Sequence, residues 1–166
     1  MRQLNEIIIR KDLHSGDLGY IIYLHGKIYK QEYNYGIEFE MYVASGLQEF
    51  FKNYDLQKDR IWICEYQNKI IGSLVLMHRE DHSAQLRYFL IHPKFRGIGL
   101  GKKLMGLFLN FFQESNYQSC FLWTTEDQNE AAKLYKKSGF ILTEEKVSNT
   151  FGKKIKEQRY DLELKK

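Results

Sequence analysis

One proline and two cysteines occur in 166 residues, and no glycine-, serine- or proline-rich tract interrupts them. Without such a tract no linker suggests itself, and the chain reads as one unit over 1–166. Two cysteines are too few for a disulfide framework. Cys64 and Cys120 fall in expected strands with no partner spacing or adjacent histidine, so both read as buried free thiols. No apolar run approaches the ~20 residues of a membrane span. The start, Met1-Arg2-Gln3-Leu4-Asn5-Glu6, has no export-signal pattern, so the expected address is cytoplasmic. Charge of one sign is also scarce: 25 basic residues alternate with 21 acidic ones, and no long basic tract points to nucleic acid. The net charge of +4 would still favour a polyanionic ligand. His25, His78, His82 and His92 lack a carboxylate spacing that would orient them. The polar cluster 78–82 reads as a turn, since a third metal ligand is not evident.

What the chain does have is Arg96-Gly97-Ile98-Gly99-Leu100-Gly101-Lys102, placed where an apolar strand hands over to an amphipathic helix. Three alternate glycines there let successive N–H groups point into one concavity, which is a phosphate-binding geometry. A structural role alone explains them poorly, because each glycine costs roughly 0.5–1 kcal/mol in a regular element. Leu104, Leu107, Phe108 and Phe111 follow at helical spacing and anchor the loop on a core-facing helix. A nucleotide P-loop needs four residues between its glycines and then Lys plus a hydroxyl; here three intervene and Lys103 follows Lys102. The dinucleotide pattern fails as well, because Lys102 stands at its last glycine position.

Periodicity places strands at 7–9, 61–66, 69–77, 84–91, 119–124, 140–147 and 155–164, with helices over 15–31, 39–52, 99–114 and up to 138. Gln67-Asn68 reads as a tight hairpin turn. Asp127 with Glu130 reads as a capping box, and Tyr160, Leu162 and Leu164 alternate toward one side. A hydrophobic content of 43% is enough to bury one sizeable core.

The pattern Arg-x-x-Gly-x-Gly at Arg96, Gly99 and Gly101 resembles the pyrophosphate loop of the GNAT superfamily of acyl-CoA-dependent N-acetyltransferases. Leu90-Ile91-His92-Pro93 before it, and Asn129, Ala132, Tyr135, Gly139 and Phe140 after it, extend the resemblance over nearly the whole chain. The resemblance implies an α+β (mixed α/β) fold with a mostly antiparallel sheet of six to seven strands, splayed between the fourth and fifth, with flanking helices. It implies a single acyl-CoA N-acyltransferase domain over 1–166, with acetyl-CoA (CoA) as cosubstrate. On that basis the backbone of Leu90 and Ile91 pairs with the pantetheine arm. Arg96 and the amides of Gly97, Ile98, Gly99, Leu100, Gly101 and Lys102 hold the pyrophosphate, Asn129 touches the cofactor near a helix start, and Tyr135 also contacts it.

The implied reaction is direct attack of a primary amine on the thioester. An alkylamine with a pKa near 10.4 is neutral in only about one molecule in two thousand at pH 7, a handicap of roughly 4.6 kcal/mol. The departing thiolate carries a smaller mismatch, about 2 kcal/mol. Tyr135 matches the family's proton donor; its bland reading is a core aromatic. Many members carry a base Glu in the strand before the loop, where this chain has Gln85, so Glu126 and Glu38 (or Glu40) stand in as candidate bases, beside a water relay. The Gln85 departure also motivates an alternative, a non-catalytic acyl-CoA sensor. The expected partner is a small-molecule or peptide amine, with no nucleic acid or membrane. The aromatic segment 29–42 suits either a homodimer contact or a cover for the core. At finer grain His25-Gly26, Tyr29, Glu32-Tyr33, Phe39-Glu40 and Leu122-Trp123-Thr124 resemble the acetyltransferase half of fused MarR-type regulator and acetyltransferase proteins, although Leu24 stands where those usually have Arg and the DNA-binding half is absent.

Overall fold

In the computed structural model, which describes residues 3–164, seven strands form one sheet flanked by four helices. In chain order these are β1 (Ile8–Arg10), α1 (Asp17–Tyr33), α2 (Ile37–Lys52), β2 (Arg60–Tyr66), β3 (Lys69–His78), β4 (Ser83–Ile91), α3 (Leu100–Glu114), β5 (Ser119–Thr125), α4 (Asn129–Lys137), β6 (Ile141–Ser148) and β7 (Ile155–Glu163). The spatial order is β1-β2-β3-β4-β5-β7-β6, antiparallel throughout except for the β4–β5 pair.

Each face of the sheet is closed by a helix pair whose apolar stripe sets its orientation. Leu100, Leu104, Met105, Phe108, Phe111 and Phe112 of α3 recur at helical spacing and are buried with Leu74, Leu76, Leu86 and Leu122 on one face. Ile21, Leu24, Ile28 and Tyr29 of α1, with Phe39, Val43, Leu47 and Phe50 of α2, cover the other face together with Ile61, Ile63 and Val75. Covered on both sides, β3 is buried continuously from Ile70 to Met77, with Ser73 its one polar side chain, rather than in alternation.

Most element positions follow the periodicity, and the departures have local causes. The first helix starts at Asp17, not 15, because the Asp17 carboxylate turns inward to accept two hydrogen bonds from Arg10, at 2.7 and 2.8 Å. The capping box at Asp127 and Glu130 does not form. Asp127 pairs with Lys153 at 3.1 Å, Glu130 pairs with Lys133 at 2.6 Å, and α4 starts after Gln128 without a side-chain cap. Gln67 and Asn68 make the tight turn, both at positive φ. Cys64 and Cys120 are buried free thiols in β2 and β5. Residues 78–82 end β3 and turn through Asp81 and His82. Tyr160 and Leu162 are buried as their alternation requires, whereas Leu164 lies past the strand and is exposed. The aromatic segment 29–42 mainly covers the core: Tyr29, Tyr35 and Phe39 are buried within it. No helix among the described residues is long and apolar enough to cross a membrane.

Candidate active site

β4 and β5 pair at only three positions, Ser83 with Ser119, Ala84 with Cys120 and Gln85 with Phe121, then diverge. From residue 86 to Ile91 the β4 edge toward β5 has no strand partner, so the sheet opens into a V. On its other edge β4 bulges. Val75 pairs with Arg87 and Ser73 with Leu90, so Tyr88 and Phe89 together oppose the single residue Leu74. Tyr88 sits at φ 52° in mid-strand, a backbone strain of order 1–3 kcal/mol. The Ser73 hydroxyl donates to the Tyr88 carbonyl at 2.8 Å and holds that turn.

The bulge has a directional consequence. Arg87 and Tyr88, consecutive in sequence, both turn to the α1–α2 face: the Arg87 guanidinium lies over the rings of Tyr42 and Tyr88, and Tyr88 packs in the core of that face. Phe89 goes to the opposite face, its ring 6.1 Å from that of Tyr135.

The Arg96 to Lys102 loop lies at the end of this V. Gly97 and Gly99 have φ of 76° and 90°, and Gly99 precedes α3 without any side-chain cap. The first donation back into the loop comes from Lys103, to the Gly99 carbonyl; among the described residues the amides of 97–102 donate to no protein group. Six unclaimed N–H groups at a positive helix end fit a diphosphate. At Gly101 an added Cβ would stand 3.1 Å from Leu134 and 3.5 Å from Ile91, so a side chain there would crowd the same opening. Arg96 is differently engaged from the expectation. Its Nε donates to the Ile91 carbonyl at 2.8 Å, and its two Nη groups clasp Glu32 of α1 at 2.8 and 3.0 Å. Lys102 and Asn129 are exposed, and Leu100 is buried as a core side chain.

Through the V runs a cavity of about 80 Å³ lined from both faces: His25, Tyr29 and Phe39 on one, Leu86, Leu122 and Tyr135 on the other. Among the described residues three buried side-chain polar atoms have no hydrogen-bond partner, His25 Nε2, Tyr88 Oη and Thr124 Oγ1, and all three residues line this cavity. Natural cores rarely leave such atoms unmatched, so each calls for a partner from a ligand or an ordered water in this cavity. His25 Nδ1 lies 2.8 Å from the Ile21 carbonyl, which only accepts; the ring proton is therefore assigned to Nδ1, and Nε2 presents a lone pair. Burial lowers the His25 pKa to about 4, so the ring is neutral. Burial pushes the Tyr135 phenol well above its ordinary range. Tyr35, Thr125, Gln128 and Tyr29 form a hydrogen-bonded chain that ties the α1–α2 side to the start of α4.

Of the sequence-stated candidates, Tyr135 lines the cavity, and Gln85 lines it with its Oε1 occupied by Arg79 at 2.7 and 3.0 Å. Glu38 and Glu126 do not. The Glu38 carboxylate lies against Gly36 and Gly152, and Glu126 accepts from the Lys156 amide at 3.3 Å. Sequence reasoning missed Arg87, Tyr88 and Thr124 and set His25 aside. The available signal for His25 was its place one turn after Ile21 on an otherwise apolar stripe.

Gly46 holds this arrangement open. A Cβ there would stand 1.9 Å from the Tyr88 hydroxyl oxygen and 2.6 Å from Arg87 Nη2. Gly46→Ala is therefore expected to cost about 1–3 kcal/mol from overpacking, a fall in Tm of roughly 2–12 °C by thermal melting. An unchanged Tm would mean that the two side chains move aside freely.

The comparisons agree with this geometry. A family model described as the acetyltransferase (GNAT) family matches residues 23–140. The chain is 30% identical over 97 residues to an uncharacterized N-acetyltransferase, YjgM, of Escherichia coli, covering 57% of this chain and 58% of that one. It is 31% identical over 80 residues to the N-acetylaspartate synthetase of Rattus norvegicus, covering 48% of this chain and 27% of that one. The chain thus spans little more than half of one of these relatives and about a quarter of the other. In fold it is similar to a GNAT-family acetyltransferase from Staphylococcus aureus (TM-score 0.78, 21% identity, 96% and 99% of the two chains). It is likewise similar to the spermidine N-acetyltransferase of Vibrio cholerae, solved with CoA and spermine (TM-score 0.70, 22% identity, 96% of each). With a family match over most of its length, a sheet that splays beside a glycine loop and uncapped amides at that loop, this chain belongs to the GNAT family of acetyltransferases, whose cosubstrate is acetyl-CoA.

Proposed function

We propose that this chain transfers the acetyl group of acetyl-CoA to a primary amine of a small molecule, amino acid or peptide by direct attack. The observation that carries this reading is the presence of six unclaimed amides, at residues 97–102, on the loop that follows β4, the strand whose edge opens at the splay. Acetyl-CoA supplies the activated acyl group. The amides of 97–102 hold its pyrophosphate, and the β4 edge at Leu90 and Ile91, which β5 leaves uncovered, aligns its arm. For Arg96 to join them it must exchange Glu32 for phosphate. Asn129, at the first turn of α4, stands as a contact near the cofactor.

The amine enters from the α1–α2 side. Its nitrogen forms the new N–C bond as the C–S bond breaks, and Tyr135 gives its phenolic proton to the leaving sulfur. Gln85 cannot take the amine's proton, and neither Glu38 nor Glu126 lines the cavity; among the described residues Glu157, which accepts from the Ser148 hydroxyl and lies 3.7 Å from Lys146, is the one carboxylate that does, so the base role falls to it or to water beside it. The finer likeness to the acetyltransferase half of the MarR-type fusions concerns this acceptor side, since His25, Tyr29 and Phe39 line the cavity. Relatives named for N-acetylaspartate and for spermidine put acidic and polyamine acceptors alike within reach of this fold.

Calorimetric titration with CoA is expected to show saturable binding, weakened when Gly99, at φ 90°, is replaced by Val. Mixing the protein with acetyl-CoA and a panel of amines is expected to release free thiol. Absence of CoA binding would remove the whole reading; binding without turnover on any amine would leave an acyl-CoA sensor instead.

A further inference from the structure

Arg87 is a nearly buried cation whose charge is only partly met. Its side chain is 10% exposed, and its nearest carboxylate, Glu49, stands 3.6 Å away, beyond hydrogen-bonding reach. Glu49 is already held by Arg79 at 2.7 Å, so two guanidinium groups share one carboxylate that is itself 44% exposed. Among the described residues the Arg87 guanidinium makes no hydrogen bond, although it carries five N–H donors. A shielded cation in that state is costly unless an anion arrives.

The groups around it specify which kind of molecule brings that anion. The partnerless Tyr88 hydroxyl lies beside Arg87 Nη2, both within 2.6 Å of the point where a Gly46 Cβ would stand. The His25 ring is 6.0 Å from the Tyr88 ring, and its Nε2 offers a lone pair without a donor. One end of this cluster donates and carries positive charge; the other end accepts. The β4 bulge, by turning Arg87 and Tyr88 to the same face, is what puts the two donors together.

We infer that the acceptor is an amino-carboxylate, an amine that also bears a carboxylate. Arg87 and the Tyr88 hydroxyl bind its carboxylate, and His25 Nε2 accepts from its nitrogen. A polyamine would instead bring a second cation against Arg87. This assignment rests on the acetyltransferase reading above, and it names the substrate class.

The test is calorimetric binding to the CoA-saturated protein, which needs no turnover, of each common amino acid against the amine left by its decarboxylation. A charged hydrogen-bonded pair should favour at least one amino acid by about ten-fold or more over its amine. Arg87→Gln should bring that ratio to near unity and Arg87→Lys should keep part of it, with CoA titration confirming that each variant is folded. Tyr88→Phe should lower amino-acid affinity without restoring the amine's. Amines binding as well as their amino acids, no amino acid binding at all, or a ratio that survives in Arg87→Gln would each overturn the assignment. Tighter binding of 2-aminoethylphosphonate than of every amino acid would overturn it in favour of a phosphate-type anion. Failure of acetyl transfer with binding preserved would fault the enzyme reading alone.

Discussion

Tyr135→Phe is expected to slow acetyl transfer by about 10²-fold or more, the usual worth of a positioned general acid, while CoA affinity stays unchanged. The ring would keep its neighbours, Phe89, Phe140 and Tyr160 at centroid distances of 6.1, 6.1 and 6.2 Å. No described residue accepts from its hydroxyl, so deleting the oxygen strands no partner and should leave stability near that of the parent. Burial keeps the phenol protonated across the neutral range, which makes it a donor rather than a base. An acid that weak is a poor match for a thiolate in water. Desolvation raises a thiol's pKa as it raises a phenol's, so the mismatch narrows for a thiolate released into a site from which water is excluded. The measurement is steady-state release of free thiol, read as kcat and KM for acetyl-CoA. A kcat equal to the parent's would reduce Tyr135 to a core aromatic.

The parts of this molecule legible in the sequence are those determined by local chemistry. Three glycines within 97–101, an apolar strand before them and the stripe from Leu104 to Phe112 specify loop, strand and helix without reference to distant residues. The hairpin at Gln67 and Asn68 is equally local, since those residues tolerate positive φ. The acceptor side is not local. Residues 86–91 read Leu-Arg-Tyr-Phe-Leu-Ile, with no glycine to announce a bulge, and the extra residue appears only when β4 meets its register with β3. That one slip puts Arg87 and Tyr88 on a shared face, which strict alternation forbids. The loop pattern gives Arg96 the expectation of a phosphate contact, yet its clasp on Glu32, 64 residues away, depends on how α1 crosses the end of β4. Glu38 and Glu126 are candidate bases on sequence alone, yet neither lines the cavity, because which way a turn aims a carboxylate is decided by contacts such as Glu126 with the Lys156 amide.

Acid is expected to destabilise this fold through His25 specifically, before most carboxylates contribute. The ring is 2% exposed, its Nε2 has no partner, and burial lowers its pKa to about 4 from an unfolded value near 6.5. Between those two values the unfolded chain binds a proton at this site that the folded chain refuses, so stability increases with pH across the window and is lost as pH falls from 6.5 toward 4. The full loss is about 3 kcal/mol, or roughly 6–12 °C in Tm for a domain of this size. His25→Leu removes the titrating group and should flatten the Tm profile between pH 6.5 and 4 by that amount. Asp12, Asp17 and Asp55, each held below the ordinary carboxylate range, titrate in parent and variant alike and cancel in the comparison. Parallel profiles for the two proteins would show that the ring is hydrated and protonates freely, and with that result Nε2 would lose its standing as a lone-pair acceptor in the cavity. A flattened profile instead means that the neutral imidazole persists through every pH at which the enzyme would work, so any inflection in the rate near pH 6 or 7 must come from another group.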